Sequence, residues 1–334
     1  MKRLILAVLL APTFAALPAL AHHGVAGVGA AALEGPGSPV ESASSAVLPV
    51  GKTLLYAKLD HAKFKTYTIN DNPPATAEEN YANYWMVGVG HGFTPWFSAY
   101  LFAPYHAKIQ ESGGLDSKGW ADISVIGQIG FKYEPGVGLK LVPANESLDD
   151  QEDWHFTVFG GGTLPTGNAN HRLSDGNIDP GKAHGFGKNS WSLGVTATKQ
   201  LTRDLTFNLE ASTIRFREYR YDDGNRVKFG TENRFNLSLA QRLHTNPDSR
   251  FRVDGVIEAQ YLALGRDIEN GVGADATGGK MLYLVPGLRF YKDNLSIAVG
   301  YKKPVWTKLN ESSDQQGAEG KEKYRLIFSA SMMF

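Results

Sequence analysis

Hydrophobic and polar positions alternate with a period of two along most of this chain. From Tyr324 to Phe334 the even positions are Tyr324, Leu326, Phe328, Ala330, Met332 and Phe334, while the odd ones include Arg325, Ser329 and Ser331. Between Arg250 and Leu264, one set holds Phe251, Val253, Ile257, Ala259, Tyr261 and Ala263, and the other holds Arg252, Asp254, Glu258 and Gln260. Leu205, Phe207, Leu209 and Ala211 alternate in the same way with Thr206, Asn208, Glu210 and Ser212. A side-chain period of two is that of a strand, so the chain is expected to be all-β. The pattern predicts twelve strands: Lys52 to Phe64, Tyr81 to Phe93, Trp96 to Gln110, Gly119 to Glu134, Asp153 to Thr163, Asn189 to Leu201, Asp204 to Glu218, Arg226 to Leu243, Arg250 to Leu264, Lys280 to Lys292, Asn294 to Trp306 and Glu322 to Phe334.

A soluble sandwich also alternates, but its strands usually run about five or six residues. These run about 11 to 15, near the length that crosses a bilayer when tilted. Aromatic residues such as Tyr81, Trp85, Phe93, Trp120, Trp191, Tyr301 and Trp306 fall at or near the expected strand ends, where interfacial girdles place them. Short turns such as Thr94-Pro95 and Lys292-Asp293-Asn294 alternate with long polar loops, among them Leu164 to Lys188 and Gly265 to Gly279. The last strand ends on Phe334, as do the C-terminal targeting strands of bacterial outer-membrane proteins, which it resembles. The expected fold is a 12-stranded antiparallel transmembrane β-barrel over residues 51–334, with short periplasmic turns and long outer loops. One connection breaks the rule: Pro135 to Glu152 is long yet falls on the periplasmic side, so either that turn is elaborated or the register shifts there.

Before the barrel come two other segments. Lys2 and Arg3, the apolar run from Leu4, and Ala19-Leu20-Ala21 make the three parts of a secretory signal peptide, expected over residues 1–21. Residues 22–50 are rich in Gly, Ala, Ser and Pro and are expected to be a flexible lead or a partial plug. No later run is apolar and long enough for a spanning helix.

Composition sharpens this. The chain has 34 Lys+Arg against 34 Asp+Glu and no cysteine, which argues against a nucleic-acid surface, a disulfide scaffold and a thiol site. A mean hydropathy of -0.26 looks soluble, but a lipid-facing apolar set and a lumen-facing polar set cancel in such an average. Twelve strands enclose a narrow lumen. Its candidate lining is His106, Asp122, Gln128, Lys132, Glu210, Glu232, Arg234, Arg252, Asp254, Glu258, Arg289, Lys302 and Arg325. Those charges either pair to hold the barrel's shape or mark a selective path. In the loop from Leu164 to Lys188, Asp175, Asn177 and Asp179 offer a cation site, against the alternative of a solvated loop. After signal cleavage, His22 and His23 would offer imidazole and amine nitrogens to copper or nickel. No catalytic pairing stands out, no cofactor is expected, and Gly271 to Lys280 fails the spacing of a phosphate loop.

The segment Gly161 to Gly167, G-G-T-L-P-T-G, followed by Gly185-Phe186-Gly187 and a strand ending at Thr196 to Leu201, resembles the MetA-pathway of phenol degradation family of outer-membrane proteins. That resemblance implies an outer-membrane barrel and a transporter, in a family often found near genes for degrading aromatic compounds. More distantly, the lead before a barrel is similar to the longer N-terminal hatch of the long-chain fatty acid transporter family. The expected function is passive passage of a small hydrophobic or aromatic solute across the bacterial outer membrane. The expected partners are outer-membrane lipid, the outer-membrane assembly machinery and that solute. The alternative is a structural or interaction barrel whose loops or tail bind a partner or a metal.

Overall fold

The computed structural model describes residues 37–65, 81–109, 116–144, 153–310 and 321–334. The expected signal peptide, His22 and His23 lie outside them. The strands are β1 (Thr53–Phe64), β2 (Tyr81–Thr94), β3 (Phe97–Ile109), β4 (Ser117–Trp120), β5 (Ile123–Glu134), β6 (Gly138–Leu141), β7 (Trp154–Leu164), β8 (Trp191–Thr202), β9 (Leu205–Arg215), β10 (Tyr219–Arg220), β11 (Arg226–Lys228), β12 (Glu232–Asn246), β13 (Phe251–Leu264), β14 (Ile268–Glu269), β15 (Val272–Gly273), β16 (Gly279–Lys292), β17 (Leu295–Leu309) and β18 (Glu322–Met333).

Among the described residues, twelve wall positions close into an antiparallel barrel. The ring runs β1, β2, β3, β4 with β5, β7, β8, β9, β12, β13, β16, β17 and β18, and back to β1. β18 meets β1 in register from Leu54↔Met333 to Lys63↔Tyr324. Phe334 then exchanges backbone hydrogen bonds with Thr53, at 2.8 and 3.2 Å, which finishes the seam. Because the sheet has no free edge, every wall strand satisfies its backbone on both sides, as a chain in hydrocarbon must.

The two faces are inverted relative to a soluble protein. Outward residues such as Val87, Leu193, Phe235, Ile257 and Phe328 are exposed, whereas inward Glu210, Glu232, Asp254 and Glu258 are buried. An apolar exterior continuous around the whole ring exceeds what a monomer exposes to water, so this surface is one that meets lipid.

Three sequence expectations are adjusted by the fold. The strand expected over Arg226 to Leu243 is divided into β11 and β12. At the division a Cβ on Gly230 would lie 2.0 Å from the Gly265 carbonyl, so the backbone turns out of the wall there. The strand expected over Gly119 to Glu134 is interrupted between β4 and β5, where the buried Asp122 carboxylate leaves the ladder for the amides of Gly167 and Phe186, each at 2.8 Å. The long periplasmic connection is an elaborated turn: β6 folds back onto β5 from Phe131↔Leu141 to Glu134↔Gly138.

At the outer end, β10, β11, β14 and β15 form a small separate sheet. Beneath it Ala169, Ile178, Ile214, Phe216, Tyr221, Val227 and Phe229 pack with Phe186 and Tyr219. The loop from Leu164 to Lys188 is therefore anchored by apolar packing through Ala169, Ile178 and Phe186, while Ser174 to Asn177 stay exposed. Its aspartates serve the loop itself: Asp175 accepts from the Asn177 amide at 3.0 Å, and Asp179 from the Gly181 amide at 2.8 Å.

The glycine run in β7, just before that loop, has a steric cause. A Cβ on Gly161 would lie 2.0 Å from the Val125 carbonyl of β5, whereas one on Gly160 meets nothing closer than 3.4 Å. We expect Gly161→Ala to lower barrel stability by about 1–3 kcal/mol and Gly160→Ala to stay within about 0.5 kcal/mol. Urea unfolding in detergent micelles checks the pair, and equal midpoints would contradict the packing account.

Candidate functional site

Residues 37–48 run inside the barrel as an extended, non-regular segment, and all of them are buried. The stretch belongs to neither the period-two nor the helical pattern, so its backbone amides have no ladder to enter. Buried amides must still be paired. Side chains of the wall supply the acceptors. Glu258 of β13 accepts from the amides of Val40 at 2.6 Å, Glu41 at 2.9 Å and Ser42 at 3.0 Å, and from the Ser42 hydroxyl at 2.7 Å. Glu210 of β9 accepts from the Ala43 amide at 2.8 Å, and Asp254 from the Gly37 amide at 2.9 Å.

Elsewhere along the segment, Thr198 takes the Ser45 amide and Ser98 the Leu48 amide, both at 2.9 Å. In the other direction, Arg289 donates to the Pro39 carbonyl, Gln128 to that of Ala46 at 2.6 Å and Asn208 to that of Gly37 at 3.1 Å. Groups from opposite walls converge on one short stretch of chain, which places that stretch in the lumen.

Apolar contacts complete the seat. Val40 packs among Ala240, Val256, Val285, Ala298 and Ile327, and Leu48 and Ala46 join Tyr56, Tyr100 and Phe102. Cβ atoms on Gly287 and Gly300 would lie 2.6 and 2.9 Å from Val40, so these two glycines open the wall for it.

Outward of the segment lies a cavity. It is small, ≈ 30 Å³ in volume and open on one side, and Tyr84, Met86, Leu262 and Tyr283 line it together with charged groups. Glu41 reaches into it from the inner segment and pairs with Lys302 at 3.0 Å and Lys58 at 3.3 Å. Arg325 pairs with Asp60 at 3.1 Å and with Glu322, and Arg234 pairs with Glu232. Charges this far from water persist only when paired.

The sequence candidates fall into four groups. Glu210, Asp254, Glu258 and Arg289 hold the inner segment, and Arg252 braces Asp254 at 2.6 and 2.8 Å. Glu232, Arg234, Lys302 and Arg325 belong to the outer cavity or stand directly behind it. Asp122 and His106 sit at the barrel's outer rim instead. His106 lies edge-on to Tyr84 at 5.3 Å, and its buried ring nitrogens have no hydrogen-bond partner among the described residues. Near it, Ser117 Oγ donates to the Lys182 carbonyl and stands 2.7 Å from His184 Nε2. Burial, with His171 and Lys108 close by, lowers the His184 pKa to about 4. Lys132 pairs with Asp153 at 3.4 Å near the short turns.

Sequence reasoning missed Glu41, Lys58, Asp60, Tyr84 and Tyr283. Lys58 and Asp60 sit in the inward set of β1, so the alternation already marked them. Glu41 had a different signal: it is the one charged residue between Gly37 and Gly51.

No family model matches the sequence, and no curated protein matches it either. Several solved structures are similar to it, to different degrees. An outer-membrane channel from Pseudomonas putida F1 superposes with a TM-score of 0.65 at 13% identity, over 86% of this chain and 97% of that one. The β domain of the Bordetella autotransporter BrkA gives a TM-score of 0.46 at 11% identity, over 85% and 100%. The NanC porin gives 0.45 at 10%, over 83% and 98%.

Glu258 carries four of the hydrogen bonds that seat the segment. Glu258→Ala strands those donors at a cost of about 1–3 kcal/mol. The expected result is faster amide exchange confined to residues 37–48 with the wall strands unchanged. Uniform exchange across segment and wall would contradict this assignment.

Proposed function

We propose that this protein is a bacterial outer-membrane channel that passes a small hydrophobic or aromatic solute down its gradient, closed at rest by residues 37–48. The observation that carries the reading is how the segment is held. It contributes no strand to the wall, and side-chain hydrogen bonds, ion pairs and apolar contacts with the described residues of the wall hold it in place. The wall is complete without it. A plug attached in this way can leave while the barrel stays closed on itself.

The apolar exterior supports a membrane setting, and the Pseudomonas putida F1 protein of the same fold is an outer-membrane channel. For the solute, the support is the cavity: Tyr84, Tyr283, Met86 and Leu262 offer aromatic and apolar surface at the outer side of the plug. The resemblance of Gly161 to Gly167 to a family associated with aromatic degradation points the same way. The expected signal peptide fits delivery to that membrane, and Phe334, at the seam with β1, fits a targeting role for the last strand.

Planar-bilayer conductance and liposome swelling test the proposal. The full chain should show low or intermittent conductance, and deleting residues 22–50 should convert it to a steady open level. A barrel that conducts in neither form would overturn the channel reading.

A further inference from the structure

The charged half of the cavity has an uneven layout. Lys58, Lys302, Arg234 and Arg325 line it, against only Glu41 and Asp60. Glu232 and Glu322, the partners of Arg234 and Arg325, stand outside the lining, so the cations lie between those buried anions and the open space. The two lysines differ from the arginines in a second way: among the described residues they share a single carboxylate, that of Glu41, with one lysine on each oxygen. Glu41 is also the one member of this group that the wall does not supply.

The apolar half sits directly beside those cations. Lys302 Nζ lies 4.4 Å from the centre of the Tyr283 ring, and the Arg325 guanidinium 5.7 Å from that of Tyr84. A small inorganic anion would leave the rings and Met86 uncovered. A neutral hydrocarbon would add apolar contact but satisfy none of the cations. A ligand with one carboxylate and a ring or short apolar body satisfies both halves.

We propose that the cavity binds small carboxylates with an aromatic or apolar body, and that such a ligand exchanges with Glu41 on Lys58 and Lys302. Glu41 is then an internal stand-in for the ligand. The exchange is neutral in charge, since one carboxylate replaces another. It leaves the Glu41 carboxylate without its cations, which a buried carboxylate tolerates poorly, so arrival of the ligand loosens the segment that carries Glu41. As a statement about the transported solute this rests on the channel reading, whereas the binding itself does not.

Isothermal titration of the full-length protein in detergent with benzoate, acetate and benzyl alcohol tests it. Benzoate should bind more tightly than acetate or benzyl alcohol, by about tenfold, the worth of one charge-assisted hydrogen bond or one ring contact. Glu41→Gln, which removes the internal competitor, should tighten benzoate by about tenfold and leave benzyl alcohol unchanged. Lys302→Gln should weaken benzoate by a similar factor. Equal gains for benzoate and benzyl alcohol in Glu41→Gln would mean that the variant only opens the cavity, and would overturn the exchange.

Should a variant fail to fold, amide exchange in the unaltered protein decides. Benzoate should speed exchange at residues 40–43, and an effect equal to that of benzyl alcohol would defeat the proposal. Selective benzoate binding without conductance in the deletion form would leave the site standing and remove the channel. Conductance without benzoate selectivity would do the reverse.

Discussion

A carboxylate buried in a protein needs partners, and so does an amide that belongs to no sheet or helix. This barrel solves the two problems against each other. Glu258, Glu210 and Asp254 point inward because the strand period leaves them no other direction, and the lumen is too narrow for twelve strands' worth of inward side chains to stay fully hydrated. The inner segment brings donors without a ladder of their own. Each side is costly alone and inexpensive together, which explains how a stretch of Ser, Ala, Gly and Pro holds a single path through a barrel.

The same constraint separates two kinds of charge in the lumen. The Arg252–Asp254 and Arg234–Glu232 pairs lie within single strands, two residues apart, so they form whenever the strand forms. Glu41 with Lys58 and Lys302 joins the segment to two wall strands that meet only through β18. Pairs of the first kind hold shape regardless of the plug, while the second exists only with the plug in place. In the proposed channel the first kind would hold shape and the second would mark the path, the two roles weighed from the sequence.

How far the sequence could be read follows from the same physics. Strand positions such as those of β13 and β18 were legible because lipid and lumen impose opposite demands on alternate residues. Composition left residues 22–50 open as a flexible lead or a partial plug, but the path and contacts of the inner segment were not legible, because an irregular path has no period and its partners lie about two hundred positions away, as Val40 and Glu258 do. The break at Asp122 was hidden for a related reason: a polar inward residue in a strand looks the same whether it faces the lumen or captures the Gly167 and Phe186 amides. The division of β11 from β12 turned on Gly230 abutting Gly265, a contact between distant loops. The glycine run at Gly161, by contrast, was visible as a motif and acquired a steric reason only when β5 was seen beside it.

In the proposed channel, passage requires residues 37–48 to leave the lumen. The chain has no cysteine, so a single introduced pair can be controlled by redox state without interference. The Ser45 and Thr196 hydroxyl oxygens are 2.7 Å apart, one on the segment and one on β8. In the double variant Ser45→Cys, Thr196→Cys, oxidation should abolish solute entry into liposomes and reduction should restore it. Equal entry in the oxidised and reduced states would show that solute passes with the segment still in the lumen.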